Sequence, residues 1–506
     1  MSEKVVLLNS VGKDDRGYYI IHSPSRWSQG VRDLSSWFAY YPWELAYSSS
    51  LLKKYTDYKV KLLDPCLNRW DKHQTLQAVL EEEPHWLVIE SSTRTINENL
   101  WVAKQVKKEI NTRLIFVGQH PSVYPEKMLA QGIDYVLYGE YEYTLLELLL
   151  RRSPENVPGV YPNPPRPLLD FSQLPWPEDE DIPRIRYGMP GEPSSEYLEI
   201  QAYASRGCMG DCKFCVCRNI YYRKKSWRPR DVNDVVEEIK YLKHKYPEME
   251  GIFFDEEAHN TSKDFITKLS RKIIKAGLHN LRYEAMCDIR FLDEQILQVM
   301  RTAGYYKIRF GIETADTKCG EKIGKKIDIP MTIRLLRFSK KIGLKTYATF
   351  MFGLPGGDFN IERKNINLME FLIKEGLLDN VQISIVTPLP GTPFYYWAKN
   401  CGYIREEKPE LFDGANTVIL NYPDYTSEQI KENYLFALAL RDHLYFKKNI
   451  IHPILFFKTR YKKYGFKLIL KKLLRRIKIE LNFLKSKFVS PGNLPLFRHS
   501  SSGSIL

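Results

Sequence analysis

Eleven prolines crowd into residues 151–195 of this 506-residue chain, among them the run Pro162-Asn-Pro-Pro-Arg-Pro167. Proline fixes φ and offers no backbone donor, so the stretch can form neither a helix nor an interior strand. It reads as a linker laid across the surface of its neighbours. On either side, short apolar strands alternate with amphipathic helical stretches, the pattern of parallel α/β sheets. The expected layout is an open-sheet domain over 1–150, the linker over 151–195 and a partial barrel over 196–400. A helical extension over 401–440 and a tail over 441–506 complete it.

In the first part the strand candidates are Val5–Asn9, Lys59–Asp64, Trp86–Ser91, Arg113–Gly118 and Tyr135–Gly139. Open parallel sheets bind ligands beyond the carboxyl ends of their strands. Small or polar residues occupy those ends: Asn9, Ser10, Ser91, Ser92, Gly118, Gly139 and Glu140. No GxGxxG is present, which leaves a dinucleotide site without its main support. The second part offers Tyr197–Arg206, Gly251–Glu257, Arg282–Asp288, Tyr306–Glu313, Thr346–Leu354 and Asn380–Pro388. Six βα units suit a partial barrel better than an eight-stranded one, with its chemistry at the carboxyl ends.

Eight cysteines are too few for a disulfide scaffold, and four fall between Cys208 and Cys217. That clustering points to a metal site in a reducing compartment. Cys208, Cys212 and Cys215 stand at C-x-x-x-C-x-x-C spacing, three soft thiolates able to hold three irons of a cubane and leave the fourth open. Zinc, with Cys217 as the fourth ligand, is the alternative. Cys217 itself reads as a surface thiol beside the site.

The motif resembles that of the radical S-adenosylmethionine (SAM) enzymes. The resemblance implies a 4Fe-4S cluster on Cys208, Cys212 and Cys215, with SAM on the open iron. It implies further a one-electron donor such as flavodoxin or ferredoxin. Phe214 matches the family's aromatic near the adenine, with core packing as its other reading. Asp255 and Glu257, in Phe253-Phe-Asp-Glu-Glu257, and Glu313, in Phe310-Gly-Ile-Glu313, match segments near SAM. Gly353 and Pro355, in Phe352-Gly-Leu-Pro-Gly-Gly357, resemble a later SAM-pocket loop, and Thr387–Pro393 the closing one. A strand cap is one reading of Asp255, a buried acid beside a cationic substrate the more economical one, and strand alternation turns Glu256 away from the site.

An α/β domain, a linker and this barrel together resemble the cobalamin-binding class of the family, over roughly residues 1–440. Gly139-Glu-Tyr-Glu142 looks like its Gly-Glu-Gly-Glu segment. The class implies cobalamin at the strand ends named above. The chain departs by lacking Asp-x-His-x-x-Gly, so no cobalt ligand can be named; His22 and His120 lie on possible pocket loops. A domain that binds no corrinoid is the alternative. Methylthiotransferases share the cluster motif but need three further cysteines up front, where only Cys66 occurs.

The net charge of +14 is concentrated: residues 441–488 hold 15 Lys and Arg against 2 Asp and Glu. The body up to residue 440 is neutral, and no nucleic-acid partner is expected. Within Phe466–Phe488 apolar residues recur at helical spacing between lysines and arginines. A basic amphipathic helix reads as binding an anionic membrane surface; a helix packed on the barrel and an RNA-binding segment are the alternatives. No apolar run of about 18 residues occurs, and the amino terminus has no basic stretch leading an apolar one. The expected place is the cytoplasm, with the tail on the inner face of the membrane.

The expected activity is functionalisation of an unactivated carbon by a SAM-derived radical, by default methyl transfer through cobalamin. Radical rearrangement or carbon–carbon bond formation is the runner-up. Val235–Leu242, the following acidic motif and Tyr41-Pro-Trp43 look most like members acting on hopanoid and ether-lipid head groups, which suggests a lipid substrate.

Overall fold

A computed structural model describes residues 3–23, 25–188, 195–414 and 417–450. The tail beyond residue 450, and with it the Phe466–Phe488 helix, lies outside the described residues.

The first sheet has five parallel strands: β1 (Lys4–Leu8), β4 (Lys59–Leu63), β5 (Trp86–Glu90), β6 (Arg113–Val117) and β7 (Tyr135–Val136), in the order β4-β1-β5-β6-β7. Helices cover both faces, so a central strand such as Trp86-Leu-Val-Ile-Glu90 is buried at every residue and reads as an unbroken apolar run. In this order the strands diverge between β1 and β5, the crevice where such sheets take ligands. An antiparallel hairpin, β2 (Tyr19–Ser23) and β3 (Trp27–Val31), springs from the end of β1 at that crevice. Sequence periodicity had given no sign of it.

The second sheet has six parallel strands: β8 (Glu199–Ala202), β11 (Gly251–Phe254), β12 (Arg282–Met286), β13 (Tyr305–Glu313), β14 (Lys345–Phe352) and β15 (Asn380–Ile385). They pair in chain order from β8 to β15 and form the partial barrel. Side chains of Asp231, Ser262, Asp293, Asp328, Asp358 and Thr392 accept backbone N–H groups at the starts of its helices. At the amino-terminal side, Glu284 of β12 is buried among Arg309, Tyr306 and Ser195, with Lys307 3.8 Å away. The interior is thus charged as well as apolar.

Three expectations need correction. The strand foreseen over Tyr197–Arg206 breaks at Tyr203, and its second half becomes β9 (Ser205–Cys208), which pairs antiparallel with β10 (Ser226–Pro229). The proline-rich stretch lies only partly on the surface: Val157, Val160, Leu169, Phe171 and Tyr187 are buried in the core of the first domain. The helical extension is mostly loop until Ser427, and its helix then runs unbroken to Ile450. Arg441 is only 5% exposed, so the first turns of the basic segment pack on the barrel. No helix among the described residues is long and apolar enough to cross a membrane.

Candidate functional site

The cysteine loop starts from the β9–β10 ribbon. Gly207 has φ +101, and a Cβ there would meet the Ser226 carbonyl oxygen at 2.3 Å, so glycine is required for the strands to close. Cys208, Cys212 and Cys215 follow, each half-buried. A Cβ on Gly210 would lie 3.2 Å from Cys208 Sγ, 3.7 Å from Cys212 Sγ and 3.1 Å from Arg290 Nη2. Two thiols and a cation therefore surround a residue without a side chain. Burial pushes the Cys208 thiol up to about 12 and Cys212 to about 11, whereas a hydrogen bond from Cys217 brings Cys215 down to about 7. Cys217 is not at the surface: it is buried and donates to Ser25 O at 2.8 Å. Among the described residues no three His, Cys, Asp or Glu side chains converge on one ion-sized point. Cys208 and Cys212 both face Gly210, and three soft thiols at this spacing fit a 4Fe-4S cubane with one iron left open.

Acidic residues end the neighbouring strands. Asp255, just beyond β11, is fully buried and takes Arg26 Nη1 at 2.9 Å, while its Oδ2 has no partner. Burial raises its carboxyl to about 6 against the pull of Arg26. Glu256 turns the other way, onto Ala204 N at 3.0 Å, Ser205 Oγ at 3.2 Å and His259 Nδ1 at 2.5 Å. Glu257 accepts from Gly207 N at 2.8 Å and Tyr222 OH at 2.7 Å, and so ties down the ribbon. Glu313 ends β13 at φ +61, a strained conformation for a side chain of its size. Lys325 Nζ at 2.8 Å and Thr349 Oγ1 at 2.9 Å hold its carboxylate there. Its Oε1 would lie 1.8 Å from a Cβ on Gly311, so a side chain there would displace the carboxylate and Lys325.

Phe214 packs on the barrel core. Gly353 is committed within the chain: its N–H donates to Glu362 Oε1 at 2.5 Å and its carbonyl accepts from Tyr422 OH at 2.8 Å. With the buried Pro355 it anchors the segments that follow and does not offer free backbone to the mouth.

The strand ends of the first sheet face the barrel across the hairpin. Asn9 Nδ2 donates to Asp64 Oδ1 at 2.9 Å, and Asn99 bridges Ser10 Oγ at 3.3 Å and Ser91 Oγ at 2.8 Å. Gly118 packs so closely that a Cβ would lie 2.5 Å from Ser91 O. The residues just named satisfy one another; of the seven foreseen at cobalamin, Gly139 and Glu140 edge a cleft of about 140 Å³ beside Tyr221 and Tyr222, and Ser92 lines a second, smaller gap between the domains. That gap is a cavity of about 10 Å³ bounded by Arg26, Trp27 and Ser92 on one side and Val216, Leu389 and Phe412 on the other. It holds about one water. Its rim carries Gln119 and the carboxylate-paired guanidiniums of Arg26 and Arg94, polar groups that fit the amides that edge a corrin ring, but the seated hairpin leaves no room for the ring itself. His120 bonds Thr93 Oγ1 at 3.0 Å and His22 bonds Ser28 Oγ at 2.9 Å; burial holds both imidazoles near 3 and therefore neutral.

Glu140 and Glu142 do not face the gap. Arg206, two residues before Cys208, donates to Glu142 Oε1 at 2.6 Å and Glu140 Oε1 at 3.3 Å, and Arg228 of β10 donates to Glu140 at 2.7 Å. The Gly139–Glu142 segment thus clamps the ribbon that carries the cysteines to the first domain.

This geometry agrees with the comparisons. The radical SAM superfamily profile matches residues 203–363, and the B12-binding domain profile matches 37–149. The chain belongs to the radical SAM enzymes that carry a B12-binding domain. The cofactors of this family are a 4Fe-4S cluster, SAM and cobalamin. An uncharacterized methyltransferase of Pyrococcus horikoshii is 26% identical, over 77% of this chain and 85% of its own length. The hopanoid C-3 methylase of Methylococcus capsulatus is 25% identical, over 66% and 65%. Among solved structures, the cobalamin-dependent SAM radical enzyme OxsB aligns over 97% of this chain and 82% of its own, with TM-score 0.65 and 14% identity. The radical SAM methyltransferase TsrM of Kitasatospora setae, with cobalamin and cluster bound, aligns over 86% and 85%, with TM-score 0.61 and 18% identity. These two likenesses are likenesses of fold.

Arg26, Lys325, Arg290 and Arg206 escaped the sequence reading of this radical SAM enzyme. Arg206 could have been found, since it directly precedes the Gly-Cys that opens the cluster loop. Arg26 could not, because its hairpin meets Asp255 across 229 residues of chain.

Proposed function

We propose that this enzyme transfers a methyl group to an unactivated carbon, using cobalamin as the methyl carrier and a SAM-derived radical to open the C–H bond. The observation that carries this reading is the clamp between Arg206 and Glu142. It holds the three-cysteine loop of one cofactor domain against the strand ends of the other. The methyltransferase relatives support it.

When bound, the cluster and SAM supply the radical and cobalamin supplies the methyl. The chain's own residues bind, orient and exclude water. Cys208, Cys212 and Cys215 hold the cluster, with Gly210 giving the loop room. The free Oδ2 of Asp255 suits an ammonium group such as that of SAM, and Glu313, fixed by Lys325 and Thr349, supplies a second acidic edge. Glu257 keeps the cluster ribbon in register, and Phe214 closes the loop against the barrel. Ser92, Gln119 and the apolar residues of the gap are the surface we assign to the corrin, once the hairpin withdraws. For the acceptor we propose a lipid, on the hopanoid C-3 methylase relative; binding of residues 441–488 to an anionic membrane goes with that proposal.

The test is anaerobic reconstitution with cobalamin and methyl-labelled SAM. Label moving to cobalamin and then to acceptor, with 5'-deoxyadenosine released, is the expected result. Deoxyadenosine without any transfer of label would replace methylation by radical rearrangement.

A further inference from the structure

Residues 1–440 are electrically balanced, yet residues 208–227 carry five basic side chains to one acidic and residues 318–326 carry four to one. The fold joins these two segments over the cysteine loop. Lys213 N donates to Ile323 O at 2.9 Å, and a Cβ on Gly324 would touch Asp211 O at 2.1 Å. Asp211 is flanked by Arg218 at 3.5 Å and Lys225 at 3.7 Å, so the one acid of the loop is outnumbered. Among the described residues Lys213, Arg223, Lys224 and Lys322 are exposed and have no carboxylate within salt-bridge distance. Met209, between the first two cysteines, is 45% exposed, so the cysteine loop itself reaches this surface. Beside it opens a cleft of about 140 Å³ edged by Tyr138, Glu140, Arg166, Tyr222, Arg223 and Lys224, with Glu140 paired to Arg228. Arg223 lies over the Tyr138 ring, 4.9 Å from its centre.

We infer that this basic face is the docking surface for a small acidic protein that delivers electrons one at a time. The charge has a local use, because a balanced body would otherwise not concentrate cations on one loop. Opposite charge on the partner steers encounter and sets orientation. The exposed loop then brings the partner's carrier next to the cysteines, and the cleft can seat a protruding carboxylate against Arg223. One electron leaves the carrier and one enters the cluster site; no group is transferred. The inference rests on the reading that the three cysteines hold a cluster reduced by one electron.

The test uses the full-length reconstituted chain, with flavodoxin as the acidic probe and dithionite as a small reductant that needs no docking. In K224E/K225E/K322E, flavodoxin affinity read from its flavin fluorescence should fall at least about tenfold, and flavodoxin-driven deoxyadenosine formation with it. Dithionite-driven formation should be unchanged. Raised salt should weaken flavodoxin binding to the unaltered chain. Because residues 441–488 are also basic, K471E/K472E/R475E is the control. If only the tail variant weakens binding, or if neither does, the docking surface is overturned. If dithionite drives no SAM cleavage even in the unaltered chain, it is the cluster reading that fails.

Discussion

At the carboxyl end of the first sheet, Asn9, Ser10, Ser91 and Asn99 satisfy one another's hydrogen bonds. At the carboxyl end of the barrel, Asp255 keeps a free oxygen, Glu313 is held at φ +61, and two thiols flank a glycine. Both ends carry the small and polar residues expected at ligand-binding strand ends. What separates the strand-end residues named here is unspent bonding capacity, which a residue type cannot reveal. A buried polar group left without a partner is costly, so it persists where a ligand completes it. In the first sheet these four residues are paired with one another, Glu90 Oε2 and Arg94 Nη1 beside them are not, and a hairpin covers the end.

The strongest way to sharpen that contrast is to remove the thiols. Changing Cys208, Cys212 and Cys215 together to alanine should take iron from about four per chain to none. Deoxyadenosine formation should vanish with it, as read by iron assay and chromatography. Next, Asp255→Asn should weaken SAM binding by about 10- to 100-fold in equilibrium dialysis, the scale of a lost charged hydrogen bond. In the unaltered protein SAM affinity should fall as pH drops through about 6, where Asp255 takes up its proton and can no longer offset an ammonium. Arg26→Gln should move that midpoint upward, because the guanidinium is what holds the carboxyl down. The same change unlatches the hairpin and should tighten cobalamin binding several-fold, up to about tenfold, with Trp27 emission changing as the tip leaves the gap. Cobalamin binding that leaves the hairpin in place would break the contrast from the other side.

The smallest effect belongs to Asn99→Ala. It strands Ser10 and Ser91 and should cost about 1–3 kcal/mol of stability in denaturant melts. SAM cleavage at 25 °C should be unaffected. Loss of cobalamin without loss of stability would show that this network serves the ligand after all.

Strand positions and the cysteine loop were legible because their signals are local: runs such as Trp86–Glu90 and a spacing of four and three residues. The six barrel strands and five of the first sheet could be read for the same reason. Asn9, Ser10, Ser91 and Glu140 were legible as strand-end residues, but not as residues with partners of their own. Asn9 meets Asp64 and Glu140 meets Arg206 only after long stretches of chain have folded. The hairpin was missed because Tyr19–Val31 is mixed in character and too short for periodicity to speak. Proline count correctly excluded regular structure from 151–195, but said nothing about burial, which Phe171 and Tyr187 achieve from irregular backbone.

The clamp formed by Glu140, Glu142, Arg206 and Arg228 bears on how such proteins can be recombined. The front sheet holds the ribbon on which the cluster hangs, so the barrel is not a portable cartridge. Grafted behind a different front domain, it would present two guanidiniums, Arg206 almost wholly buried, with no carboxylates to meet them. A lineage can therefore exchange acceptors by altering loops around the mouth, whereas the two halves must be inherited as a matched pair.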